Sequence, residues 1–148
     1  MSLPLFILYS GLIFWTVGYD TIYACQDIED DMKIGVKSTA RRFGKRVKLG
    51  VGVCYVVFVS LAAFAFTKAG IMLVEPSAIT NTMFPLGISM TGGLVLVAPL
   101  ILHLTWQVVK FDPSNGQKSL RVFKSNFWAA IILILSMPAL QLSMSYSI

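Results

Sequence analysis

An all-α, multi-pass membrane protein is the fold class this sequence predicts, and three observations predict it. Of the 148 residues, 56% are hydrophobic and only 13% charged, and mean hydropathy is +0.75. That lies outside the balance of a soluble globular domain. The long apolar stretches are apolar all round, whereas the helices of a soluble bundle need a polar face. The basic residues are also sorted, gathering in alternate connections between those stretches.

Four spans follow in order. The first covers about residues 3–25 and ends among acids, the second residues 49–67, the third residues 83–106 and the fourth residues 127–148. At ~1.5 Å rise per residue, about twenty residues cross a hydrocarbon core of ~30 Å. The third span carries no formal charge and has only His103 to titrate. Pro99 and Pro138 predict kinks that neighbouring helices can accommodate. Gly87, Ser89, Gly92 and Gly93 predict close helix packing, and Trp106 and Trp128 interfacial anchoring. His103 reads as an interfacial histidine rather than a catalytic base.

The connection from Gln26 to Lys48 holds seven Lys or Arg, the one from Gln107 to Asn126 holds four, and the one from Lys68 to Thr82 holds only Lys68. By the positive-inside rule the first and third connections face the cytoplasm or the mitochondrial matrix. The net charge of +5 therefore reports topology and not nucleic-acid binding. Residues 1–148 read as one domain in the lipid bilayer, with no internal repeat or disordered linker, and Met1-Ser2-Leu3-Pro4 has no targeting signature. Cys25 and Cys54 lack metal spacing and read as small core residues.

Chemistry concentrates in the first connection. Asp20, Asp27, Glu29, Asp30 and Asp31 place five acids in twelve positions at the end of an apolar helix. If that helix continues, Asp27 and Asp31 are i and i+4, and Asp20 lies two turns before Asp27, so the three share a face. Like charges so placed repel, and the adjacent hydrocarbon adds desolvation cost, so a divalent cation is the natural compensation. Paired carboxylates suit Mg²⁺ held together with substrate phosphates. Lys33, Lys37, Arg41 and Arg42 follow at once and suit the oxygens on which charge grows as a diphosphate leaves. Gly35, Ser38 and Thr39 permit a turn and a new N-cap. The competing reading is a solvated loop whose Asp and Lys pair locally. It is preferred for Glu29, Asp30, Lys45, Arg46 and Lys48, but Asp20, after sixteen mostly apolar residues, fits it poorly.

The run YDTIYACQDIEDDMKIGVKSTARRFG, residues 19–44, resembles the second Asp-rich motif of the UbiA-type intramembrane prenyltransferases, within them most the branch acting on 4-hydroxybenzoate. His103 to Gln107 and Phe123 to Asn126 are similar to the last cytosolic loop of that branch. The resemblance implies a nine-helix bundle, of which the four spans form the C-terminal part, around a cavity where a prenyl diphosphate ionises and attacks an aromatic ring. By position it makes Asp27 and Asp31 the magnesium ligands. It places Lys33, Lys37 and Arg41 against the diphosphate and Asp20 beside the acceptor or in the metal network. Tyr19 and Tyr23 are candidate substrate contacts, as is Trp15 along the prenyl channel, and the basic tract of residues 115–126 is a candidate cover for the cavity mouth. The family's other motif, NDxxDxxxD, is absent from the chain. A missing N-terminal half bearing it is therefore expected, with the chain inactive alone.

The expected activity is Mg²⁺-dependent transfer of a polyprenyl group from polyprenyl diphosphate to 4-hydroxybenzoate in ubiquinone synthesis, in a bacterial or mitochondrial inner membrane. The rivals are an aromatic prenyltransferase of secondary metabolism, and a non-catalytic membrane protein or divalent-cation transporter element. Intramembrane acids on several spans would favour the last, and the other spans have none.

Overall fold

The computed structural model describes residues 3–72 and 84–145, and the side chains of residues 3–68 (Glu29 excepted) and 97–135. Among the described residues every regular element is helical. Four long helices occupy the apolar stretches: α1 (Leu3–Ala24), α4 (Val47–Met72), α5 (Phe84–Lys110) and α7 (Asn126–Ser145). Three short helices lie in the base-rich connections: α2 (Ile28–Ile34), α3 (Thr39–Phe43) and α6 (Gly116–Lys124), with a 3₁₀ turn at Gly44–Arg46 leading into α4. Among the described residues two segments, Leu3–Ala24 and Thr39–Lys68, are long and apolar enough to cross a membrane. The packing expected of Gly87, Ser89, Gly92 and Gly93, and the Pro138 side chain, lie outside the described side chains.

Helix α1 packs chiefly on α4, and α4 on α5. The α1–α4 seam is close because two glycines permit it. A Cβ on Gly18 would meet the Tyr55 ring at 2.5 Å, and one on Gly11 would lie 3.2 Å from Leu61 Cβ. Phe58, Ile22, Val51, Leu100 and Leu104 fill the interior, and Trp15 stacks on Phe58 with ring centroids 5.5 Å apart. Outward, Phe6, Val56 and Leu102 are 59%, 66% and 72% exposed. Apolar surface of that kind suits lipid or further helices and not water. Cys25 and Cys54 are buried free thiols, as expected of small core residues.

One expectation fails here. The first long helix does not continue through the acids but ends at Ala24. Cys25 N–H and Gln26 N–H donate to the carbonyls of Ile22 and Tyr23, at 3.3 and 2.8 Å. These i→i−3 bonds tighten and close the last turn. The chain then restarts at Asp27, the N-cap of α2. Among the described residues no three His, Cys, Asp or Glu side chains come close enough to share a metal. Asp20 therefore does not converge with Asp27 and Asp31, because the break in the helix redirects α2.

Candidate functional site

Asp27 begins α2 at φ −110° and ψ 17°, and its carboxylate makes no capping bond to its own helix. Asp is a favoured N-cap because it satisfies the first orphan N–H groups, so an Asp that leaves them alone keeps its oxygens for something else. Its one described partner is the Gln26 amide, whose Nε2 donates to Asp27 Oδ1 at 3.3 Å. The backbone closes the first turn instead, with Asp31 N–H donating to the Asp27 carbonyl at 2.8 Å. Asp27 and Asp31 thus stand one turn apart, both half-buried.

The far end of α2 is organised on the Asp31 carbonyl. It accepts from Gly35 N–H, from Val36 N–H at 3.0 Å and from Arg41 Nη1 at 3.2 Å. Arg41 Nη1 also donates to the Val36 carbonyl, so this guanidinium staples the α2–α3 loop while lining its cavity. Gly35 has φ +78°, and a Cβ added to it would have no atom within 4 Å, so only backbone strain opposes a side chain there. Gly35→Ala is expected to cost about 1 kcal/mol locally. Limited trypsin cleavage after Lys33 and Lys37 should accelerate about fivefold; an unchanged rate would show that the turn tolerates the strain.

Beside this loop lies an open cavity of about 290 Å³ lined by Lys37, Ser38, Arg41 and Arg42. Three cations around one concavity suit an anion. The Ser38 hydroxyl is buried and has no hydrogen-bond partner, although Ser38 takes the expected N-cap position of α3. Lys37, Arg41 and Arg42 were among the cations that the sequence offered to the diphosphate; Ser38 was expected only at the turn and new N-cap. Lys33 is placed differently. Its Nζ lies 2.8 Å from Asp30 Oδ1, with the two side chains 72% and 75% exposed. The hydrogen bond and charge of Lys33 hold the Asp30 carboxyl below its usual range. A pair so exposed adds little stability.

Asp20 lies on the exposed stripe of α1 with Ile13, Thr16 and Tyr23, the side that this chain leaves uncovered. Thr21, next to it, is buried; its hydroxyl donates to the Val17 carbonyl at 2.6 Å and accepts from Thr39 Oγ1 at 2.9 Å, tying α1 to α3. Tyr19 and Tyr23 both pack on Phe123 of α6, at 5.9 and 4.9 Å between ring centroids. Trp15 donates from Nε1 to Asn126 Oδ1 at 3.2 Å, so its stacked, bonded ring ties helices together.

The two base-rich connections meet at one end of the bundle, where α6 reaches across α1. Underneath runs a polar chain that the sequence did not reveal. Tyr55 donates its hydroxyl to Gln107 Oε1 at 2.7 Å, Gln107 Nε2 donates to Ser125 Oγ at 2.9 Å, and Ser125 Oγ donates to the Val122 carbonyl at 2.6 Å. His103 Nε2 is 3.1 Å from the Ser125 carbonyl. The same ring nitrogen is 3.3 Å from Gln107 Nε2.

The model of the UbiA prenyltransferase family matches residues 1–132. The chain belongs to that family. Among its curated relatives, the mitochondrial 4-hydroxybenzoate polyprenyltransferase of Arabidopsis thaliana is 37% identical over 134 residues, covering 88% of this chain and 27% of the relative. The 4-hydroxybenzoate octaprenyltransferase of Pseudomonas aeruginosa is 32% identical over 133 residues, 90% of this chain and 39% of the relative. The mitochondrial 4-hydroxybenzoate polyprenyltransferase of Caenorhabditis elegans is 37% identical over 128 residues, 86% of this chain and 31% of the relative. The chain thus spans between 27% and 39% of the length of the first two. No solved structure matches it significantly. The family resemblance carried by residues 19–44 is therefore borne out, and the matched region also takes in α5, α6 and the first turns of α7.

Proposed function

We propose that this UbiA-family chain contributes the second acid motif and the diphosphate cradle of a magnesium-dependent polyprenyltransferase acting on 4-hydroxybenzoate in ubiquinone synthesis. The observation that carries the reading is the cavity of Lys37, Ser38, Arg41 and Arg42 directly after the Asp27–Asp31 turn. The names of the relatives supply the donor and acceptor classes.

Two half-buried carboxylates one turn apart, neither in an ion pair among the described residues, fit a magnesium that keeps waters and substrate phosphates around it. Bound there, it withdraws charge from the diphosphate as a Lewis acid. Lys37, Arg41 and Arg42 then orient the diphosphate and stabilise the electron pair it takes when the allylic C–O bond breaks. The prenyl carbon bonds to the ring carbon ortho to the hydroxyl, and that carbon loses its proton to restore aromaticity. Two carboxylates are half of what this chemistry needs. Further acids, of the NDxxDxxxD kind, have to come from a segment outside these residues, and the uncovered stripe bearing Asp20 is the side they would face.

Membranes holding the protein with such a segment should prenylate 4-hydroxybenzoate in Mg²⁺ and stop in EDTA, with product identified by mass spectrometry. The four helices alone should give none. Undiminished transfer in EDTA would remove the metal from the reading, and transfer only to other phenols would remove the acceptor.

A further inference from the structure

We propose that Gly116, at the start of α6, is a positioning residue for Asp27. It lets α6 rest directly on the backbone of Gln26, and Gln26 in turn holds the Asp27 carboxylate. The inference rests on the proposed role of Asp27 as a magnesium ligand.

A Cβ on Gly116 would lie 3.0 Å from the Gln26 carbonyl oxygen and 3.2 Å from Gln26 Cα. Both are backbone atoms, so no flexible side chain can swing aside. Among the described glycines the left-handed region holds only Gly35 and Gly44. What residue 116 needs is therefore room, not conformational freedom.

On its other side Gln26 reaches the acid. Its Nε2 donates to Asp27 Oδ1 at 3.3 Å, and its N–H closes the end of α1 on the Tyr23 carbonyl at 2.8 Å. Asp27 makes no capping bond to α2, so this amide is the one described partner of its carboxylate. The start of α6 is braced as a unit: Asn115 Oδ1 caps it by accepting from Lys118 N–H at 3.0 Å, and Ser119 Oγ donates to the Asp112 carbonyl at 2.8 Å. Phe123 holds the other end on Tyr23. The displacement passes instead to Gln26, one peptide from Asp27. An added Cβ asks the Gln26 backbone to give by a few tenths of an ångström, which approaches about 0.5 Å, the error that ligand geometry tolerates, and valine asks for more.

Mn²⁺ binding to the protein purified together with the segment that carries the further acids, in inorganic diphosphate and followed by electron paramagnetic resonance, tests this without turnover. Gly116→Val is expected to weaken Mn²⁺ about tenfold, with Gly116→Ala and Gln26→Ala weakening it several-fold. Gly11→Ala is the control. Its Cβ would lie 3.2 Å from Leu61 Cβ in the α1–α4 seam, away from the acid loop, so it should lower thermal stability and leave Mn²⁺ affinity alone. If Asp27→Ala abolishes binding while both Gly116 variants bind as the parent does, the positioning role is overturned and the ligand assignment stands. If Asp27→Ala itself binds normally, or the parent protein binds no Mn²⁺, the ligand assignment falls and takes this inference with it. Should Gly116→Val fail to accumulate, Gly116→Ala, which adds one carbon, decides.

Discussion

Asp27→Ala or Asp31→Ala should lower magnesium-dependent prenyl transfer by more than about 100-fold, a loss larger than that expected for removing a residue that merely supports a metal ligand. The structure makes this a test of chemistry rather than folding. The bond that closes the first turn of α2 runs from Asp31 N–H to the Asp27 carbonyl, and the loop after α2 is gathered on the Asp31 carbonyl. Alanine keeps both carbonyls and removes only the carboxylates. Asp27→Asn is the sharper variant, since it keeps an acceptor for the Gln26 amide while removing the charge. Asp30→Asn should leave turnover within about twofold, because Asp30 answers Lys33 at an exposed edge and a surface pair is worth little. Transfer rates measured in membranes at fixed Mg²⁺ decide the matter. Near-normal turnover in Asp27→Ala or Asp31→Ala would reject their assignment.

The second large effect is expected away from the acids. Gln107 is fully buried and Tyr55 is 3% exposed. Gln107→Leu removes the acceptor of the Tyr55 hydroxyl and the donor to Ser125 Oγ. A buried polar group left without a partner costs about 1–3 kcal/mol, so a destabilisation of about 2 kcal/mol is expected. Tyr55→Phe should cost less, since it breaks one bond and orphans only Gln107 Oε1, where Gln107→Leu breaks two. In the double variant the two costs should fall short of their sum by about 0.6 kcal/mol, the average for hydrogen bonds between membrane helices, and by no more than about 1.7 kcal/mol. Unfolding in detergent supplies the cycle, and strict additivity would show that the two side chains do not act as one unit.

Much of this protein was legible before any fold was known. The apolar stretches anticipated α1, α4, α5 and α7 within a few residues at most boundaries, because a span in hydrocarbon must be both helical and apolar, and hydropathy reports both. The acid run with its following cations was legible too, since carboxylates beside hydrocarbon are costly unless they have work to do. The family match confirms the resemblance drawn from residues 19–44. The shared face of Asp20, Asp27 and Asp31 depended on α1 continuing past its expected end near residue 25, and α1 ends at Ala24, where Gly116 of α6 lies against the Gln26 backbone from 90 positions away in sequence.

The sequence by itself determined the class of protein, the approximate limits of its long helices, and the choice of Asp27, Asp31, Lys37 and Arg41 as the residues to examine. Composition and local spacing are enough for those, because they depend on the solvent a segment must meet and on which charges a ligand needs. Only the tertiary structure decided how the charges are shared. It gave Lys33 to Asp30, set Arg41 to staple its own loop, added Ser38 and Arg42 to the cavity, and left Asp20 on a face of α1 apart from the other acids. It also linked Tyr55, Gln107 and Ser125 beneath α6. Hydrogen bonds and close approaches between distant helices are settled by packing, and residue identity in a single chain does not report them.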